Sequence, residues 1–413
     1  MSDYVGAYRL KKVDIKGQDG KEADITKLVL EINVNAYVTQ PTYTIVVTVR
    51  DNRNLINKLP LRGGQNINIE IEYGNEIKTW NAVIGSINDI ENNDHEQSYS
   101  LKCYSPLLIK SNFFTISKHF EGSLSNIAKD IFNQHKDSTE KIGLWDDSLN
   151  SESVIIPDWS PINSILWLAS RAKSKISDTR FFFFQDSFGK YNFTPLERLN
   201  SVTDEPQKFV YGSEKFHPTE KTKSDMITIN KYEANQSYDI LETAKNGYLA
   251  GSLFDYNTTS KSFQTIEHKF KFNKEKSDNE KSLWGEYTPP GIGKRMDSIS
   301  RFSDDEAKRL DKLNDVSRIT KTNYRKSNNI LDITIPGNPI TDIGQLIEIK
   351  IPQASPREGQ DITDYALSGK YVTMSKRQVF TSKTSFTVLQ CIRESASNGA
   401  YEWVILEIIL HGL

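Results

Sequence analysis

The side chains best able to do chemistry are six histidines, His95, His119, His135, His217, His268 and His411, and two thiols, Cys103 and Cys391. No two histidines stand at the short helical spacing of a metal site, and neither cysteine has a histidine near it in sequence. This pattern predicts no metal and no cofactor. A Gly-x-Ser-x-Gly elbow is absent, which removes the local signature of a serine hydrolase. Gly291-Ile292-Gly293-Lys294-Arg295 has the composition of a phosphate loop but follows Pro289-Pro290 instead of a strand, and its spacing matches neither nucleotide motif. It reads as a turn.

Carboxylates are plentiful: Asp146-Asp147, Asp304-Asp305, and Asp361 with Asp364. A glycosidase needs two of them about 5 to 10 Å apart across a sugar cleft. Asp304-Asp305 belongs to a capping box, Ser303-Asp304-Asp305-Glu306, where negative charge suits the first turn of a helix. Asp146-Asp147 reads as a solvated loop. The alternative keeps it, with Trp145 and Trp159 lining a sugar groove, as the site of a cell-wall glycan hydrolase. Phe181 to Phe184 has no basic stripe beside it, so it reads as core strand and not as a stacking platform for nucleic acid. The chain is expected not to be an enzyme.

The elements that must position these residues are mostly strands. Gly64-Gln65-Asn66-Ile67-Asn68-Ile69-Glu70-Ile71 recurs as Gly344-Gln345-Leu346-Ile347-Glu348-Ile349-Lys350-Ile351. In each copy a Gly-Gln turn launches a strand with alternate isoleucines. Alternation places Ile67, Ile69 and Ile71, or Ile347, Ile349 and Ile351, on one buried face. The following strands also correspond: Ala82 to Ile87 with Lys370 to Met374, and Tyr99 to Cys103 with Phe386 to Gln390. A duplicated β unit points to one chain supplying two quasi-equivalent parts of a ring.

At 413 residues, two to four domains are expected. There are 52 Lys plus Arg against 54 Asp plus Glu, a net charge of −2. That balance argues against general binding to nucleic acid or to an anionic membrane. Two cysteines form no disulfide framework and read as buried thiols of a protein folded in a reducing cytosol. Met1 to Leu10 lacks a signal-peptide pattern. No apolar run nears the ~20 residues of a membrane helix, so no membrane insertion is expected.

The fold class read from this pattern is α+β, mainly β, with two similar antiparallel β-barrels, an α+β domain and an inserted subdomain. Residues 1–105 read as strands throughout and form the first barrel. Residues 106–204 form the α+β domain, completed by a helix over 303–320. Ser123 or Ser125 caps one helix, and Ser160-Pro161 opens another with Pro at the first position. Phe181 to Phe184, a turn at Asp186-Ser187-Phe188-Gly189 and Tyr191 to Thr194 make a hairpin. Residues 205–236 and 325–395 form the second barrel, and 237–302 the insertion. The apolar tail 396–413 carries Trp403, Ile405 and Ile408, candidate partner contacts, although docking on the chain's own core is the simpler reading.

This order of parts resembles the central baseplate hub protein of contractile-tailed bacteriophages, related to the hub part of type VI secretion spike proteins. The stretches that carry the resemblance are Ile156-Pro157-Asp158-Trp159-Ser160-Pro161 with its helix, Phe181 to Gly189, and Gly369-Lys370-Tyr371-Val372 with the closing strand. It spans the chain from the first barrel to about Glu394. The resemblance implies tube-type barrels, two per chain, in a homotrimer that forms a pseudo-hexameric ring. That ring would adapt a sixfold tail tube to a threefold spike around a channel that DNA crosses without binding. Tail tube proteins, the spike and other baseplate proteins would be its partners. The setting would be the virion, assembled in the host bacterial cytoplasm. A receptor- or carbohydrate-binding tail protein, using the Asn/Thr/Tyr-rich strands of residues 237–301, is the remaining alternative.

Overall fold

A computed structural model describes residues 8–17, 20, 22–59, 61–73, 76–93, 96–137, 140–174, 180–199, 206–211, 228–235, 250–257, 261–269, 294–300, 330–337, 341–353, 363–364, 367–382 and 384–396. The structure is mostly β. The first unit contains β1 (Arg9–Lys16), β2 (Glu22–Asp24), β3 (Val29–Tyr37), β4 (Thr44–Asp51), β5 (Asn66–Tyr73), β6 (Glu76–Asn92) and β7 (Gln97–Tyr104). Their order across the sheet is β3-β4-β7-β6-β5-β1-β2. Strict alternation decides which face is buried: Ile67, Ile69 and Ile71 of β5 face Ile15, Val13 and Leu10 of β1, and the isoleucines are buried.

The segment is not strand throughout. A 3-10 turn over Thr26–Leu28 and one α-helical turn, α1 (Leu55–Lys58), interrupt it. The Asp51 carboxylate makes the latter turn, accepting Arg53 N–H at 2.7 Å and Leu55 N–H at 2.6 Å. Asx-type bonding of this kind competes with strand pairing wherever Asp precedes Asn and Arg in a loop.

A second layer follows: α2 (Pro106–Ser111), β8 (Ile116–Ser123), α3 (Leu124–His135), β9 (Lys141–Trp145), β10 (Ser151–Trp159), α4 (Pro161–Arg171), β11 (Phe181–Gln185), β12 (Lys190–Pro195) and α5 (Leu196–Leu199). The buried stripe Ile127, Ala128, Ile131 and Phe132 of α3 packs with Ile162, Ile165 and Leu168 of α4 and with Phe181, Phe183 and Phe193. Ser160 Oγ accepts Asn163 N–H at 3.4 Å and Pro161 fills the first turn of α4. Ser123 precedes α3 but accepts no capping bond. Ser125 N–H is satisfied by Ser148 Oγ at 3.0 Å instead, a tertiary partner that local spacing does not reveal.

The second unit contains β13 (Gln207–Tyr211), β14 (Thr228–Ile229), β15 (Lys231–Asn235), and, after a separate three-stranded sheet of β16 (Ala250–Asn257), β17 (Ser262–Lys269) and β18 (Lys294–Ser300), the strands β19 (Ile330–Pro336), β20 (Leu346–Lys350), β21 (Gly369–Thr381) and β22 (Ser385–Ala396). The three-stranded sheet lies in the stretch read as an insertion. Its β16 pairs β17 antiparallel and β18 parallel. Ile347, Ile349 and Ile351 are buried with Phe209, Ile333 and Leu389. The helix read from Ser303, the Gly291-Ile292-Gly293 loop and the tail with Trp403, Ile405 and Ile408 lie outside the described residues.

Candidate functional site at the seam of two like sheets

The Gly-Gln turn does the same work twice. Gly64 (φ 85°) donates to Ile84 O at 2.7 Å, and Ile84 N–H returns to Gln65 O at 2.8 Å. Gly344 (φ 74°) donates to Thr373 O at 2.7 Å, and Thr373 N–H returns to Gln345 O at 3.0 Å. Positive φ is why glycine stands there. The glutamine side chain closes each turn, Gln65 Oε1 accepting Gly63 N–H at 2.9 Å and Gln345 Oε1 accepting Asp342 N–H at 3.0 Å.

The correspondence continues into the next strands. A bulge follows Ile84 in one unit and Thr373 in the other, and these residues face Cys103 and Cys391 respectively. Both cysteines are free and buried. Burial raises the Cys103 thiol to about 12 and drives Cys391 upward as well, so neither is poised as a nucleophile. The second unit runs β15-β19-β22-β21-β20-β13-β14, position for position the order of the first. The copies diverge at one strand: β1 is antiparallel to β5, whereas β13 is parallel to β20.

The two units are joined edge to edge. Ser375 to Thr381 of β21 pairs antiparallel with Tyr37 to Glu31 of β3, so that one continuous sheet of 14 strands results. Phe380 is fixed there between the rings of Tyr8, Tyr73 and Trp80, with centroids 5.1 to 6.2 Å away. Arg377 Nη2 donates to Asn33 Oδ1 at 3.0 Å across the seam.

A buried polar cluster ties the α+β layer to this seam. Lys376 occupies the position of Ile87 in the first unit, since both face the corresponding leucines Leu389 and Leu101. Its side chain is only 1% exposed. Lys376 Nζ donates to Thr341 O at 2.5 Å and to Ser187 Oγ at 3.2 Å. The Asp342 carboxylate accepts Ser187 N–H at 3.0 Å and Ile343 N–H at 2.8 Å. The Asp186 carboxylate holds its own turn through Phe188 N–H at 3.0 Å and Lys190 N–H at 2.8 Å. Lys78 Nζ lies 4.1 Å from the Phe188 ring centroid. Burial pushes the Lys376 amine down to about 7, with Asp342 opposing the shift. Burial, reinforced by Asp342, pushes the Asp186 carboxyl up to about 6. The hydrogen bonds of Lys376 are internal to the fold. Its chemistry is structural: it locks the β11–β12 turn, the turn before β20 and strand β21 to one another.

The residues read as a sugar groove are engaged in packing and hydrogen bonds within the fold. Trp145 stacks on Phe193 at 5.1 Å, and its Nε1–H donates to Ser125 O at 3.1 Å. Asp146 accepts from Thr194 Oγ1 at 2.5 Å and lies 3.7 Å from Arg198. Trp159 packs edge-on against Trp167 at 5.5 Å. Only Asp147 of the pair is exposed. Asp364 accepts Leu367 N–H at 3.2 Å, and Asp361 lies outside the described residues. Among the described residues no group of three His, Cys, Asp or Glu could hold a metal ion, and no helix is long and apolar enough to cross a membrane.

Comparison with solved structures identifies the fold. The chain is similar to the tail protein of Neisseria meningitidis MC58, with a TM-score of 0.56 at 10% identity, covering 94% of this chain and 97% of that one. It is also similar to the 43 kDa tail protein of prophage MuSo2 from Shewanella oneidensis, with a TM-score of 0.55 at 10% identity over 93% and 98% of the two chains. No protein-family model matches the sequence, and comparison with curated proteins finds no match. The chain therefore has the fold of phage tail proteins, mainly β with an α+β layer.

Proposed function

We propose that this chain is the structural hub of a phage-tail baseplate. Three copies form a ring in which six like sheet units meet a sixfold tail tube, while the unduplicated layer keeps the threefold symmetry of a spike. The observation that supports this reading is the single strand order, used twice and joined edge to edge within one chain. Heterologous contacts of this sort close into rings when the rotation permits. The division into a first barrel over 1–105, an α+β domain over 106–204, a second barrel over 205–236 and 325–395, an insertion over 237–302 and a tail over 396–413 belongs to the same reading.

In this role the protein is an adaptor and not a catalyst. Tail tube, spike and other baseplate proteins would be its partners, with Trp403, Ile405 and Ile408 as contacts of the tail. DNA would pass through the channel without being held, which a net charge of −2 permits. The ring would form in the host bacterial cytoplasm and end in the virion. The packed Trp145 and Trp159 rings and the tied Asp146 disfavour glycan hydrolysis. Light scattering of the purified protein should give the mass of three chains. A single chain at micromolar concentration contradicts the proposal.

A further inference from the structure

The β11–β12 turn is closed by one set of bonds and held to the seam by another. Within the turn, Asp186 N–H donates to Lys190 O at 2.9 Å and Gly189 N–H to Asp186 O at 3.0 Å. The Asp186 carboxylate takes Phe188 N–H and Lys190 N–H, and Gln185 Nε2 donates to Gly189 O at 3.3 Å. Glycine meets the positive φ of 82° at Gly189. An Asp-closed loop of this kind holds its shape from its own bonds.

The bonds to the seam are made by charged side chains. Asp342 accepts Ser187 N–H at 3.0 Å, and Lys376 Nζ donates to Ser187 Oγ at 3.2 Å. Lys78 and Lys376 stand 4.1 and 6.0 Å from the Phe188 ring centroid. Three elements thus form the socket: the turn before β20 with Asp342, β21 with Lys376 and β6 with Lys78. The turn itself brings the carboxylate of Asp186. Ser187 is 3% exposed but Phe188 beside it is 49% exposed, so water stands one residue from these contacts.

We infer that this turn is a latch, a preformed loop that docks on the seam and undocks as a unit, held least firmly near neutral pH. Undocking breaks both Ser187 bonds and frees Phe188, while the bonds inside the turn survive. The apolar joint behind it, where Phe184 and Leu199 share a core with Ile343 and Leu346, stays closed. Undocking also returns Lys376 and Asp186 to water. Burial, with Lys78 beside it, brings the docked Lys376 amine from 10.5 to about 7, against the pull of Asp342 and Asp186. The undocked state then binds more protons between those values, so docking strengthens as pH rises above 7. Burial and then Asp342 raise the docked Asp186 carboxyl from 3.8 to about 6. The docked state binds more protons in that interval, so docking strengthens as pH falls below 6. The hold is weakest between the two.

The test is hydrogen exchange of the full-length protein at pH 5, 6.5 and 9, read at single amides and corrected for the intrinsic pH dependence of exchange. Protection of the Ser187 amide should be lowest at pH 6.5, about fivefold higher at pH 5 and about thirtyfold or more higher at pH 9. The Gly189 and Lys190 amides should stay protected throughout. In Lys376→Met the rise above pH 7 should vanish and the rise below 6 remain. The unaltered chain carries the test by itself if that variant does not fold. Ser187 exchanging only together with Gly189, Lys190 and the strands β11 and β12 overturns the latch. So does a Ser187 protection that is the same at all three pH values.

Discussion

Replacing Asp342 with alanine is expected to destabilise the protein by about 3–5 kcal/mol, the range for removing one partner of a buried charged cluster. Asp342 is 2% exposed, and its carboxylate satisfies Ser187 N–H and Ile343 N–H beside the ammonium of Lys376. Alanine leaves those donors without a partner inside the fold. Lys376→Met should cost much less, because a methionine of similar length fills the space without a charge to bury. Urea unfolding of both variants separates the two effects. Equal losses, or a harmless Asp342→Ala, would show that the cluster does not clamp the β11–β12 turn to the seam.

The same cluster makes stability depend on pH. Lys376 keeps its proton to about 10.5 when unfolded but loses it near 7 in the folded chain. Between these values the unfolded state binds more protons, so stability rises with pH across that window. Asp186 acts oppositely. Its folded value of about 6 lies above the ordinary 3.8, so the folded state binds more protons between them and stability falls as pH rises through that interval. From pH 7 to 9 the gain attributable to Lys376 should be roughly 2 kcal/mol, at no more than about 1.4 kcal/mol per pH unit for one proton. Lys376→Met should abolish it.

Ile69→Ala and Ile349→Ala should each cost about 2–5 kcal/mol, the range for truncating a fully buried isoleucine. Both side chains are 0% exposed, and both occupy the fourth strand position after a Gly-Gln turn. They lie in separate core clusters, so the double variant should lose the sum of the two. Chemical denaturation of the three variants measures this. A near-neutral Ile349→Ala would mean that the second unit is not a packed equivalent of the first.

Much of this fold is legible in the sequence because its signals are local. Alternating isoleucines after Gly64 and Gly344 need only the pleat of a strand to find their buried face. Ser160-Pro161 needs only its own turn, and the Phe181–Phe184 hairpin only the Asp186–Gly189 loop. What sequence hid depends on partners far away. Ser375-Lys376-Arg377-Gln378 looks like a polar, exposed edge, yet β3 pairs along it, and Lys376 reaches Ser187 and Thr341 while Lys376 and Gln378 are both buried. Alternation within β21 was the one available clue, since Lys376 falls in phase with buried Met374 and Gln378. Trp145 beside Asp146-Asp147 resembled a binding loop because an isolated Trp-Asp-Asp does not disclose that Phe193 and Thr194 lie against it. The parallel pairing of β13 with β20 likewise follows from the long path between them, which no short motif records.

Averaged images of the purified, assembled particle test most directly whether one chain supplies two like units to a ring. The account predicts three chains around one axis, with six similar lobes near that axis and three outside. Particles with three lobes near the axis, or with the two units of each chain at different radii, would contradict it.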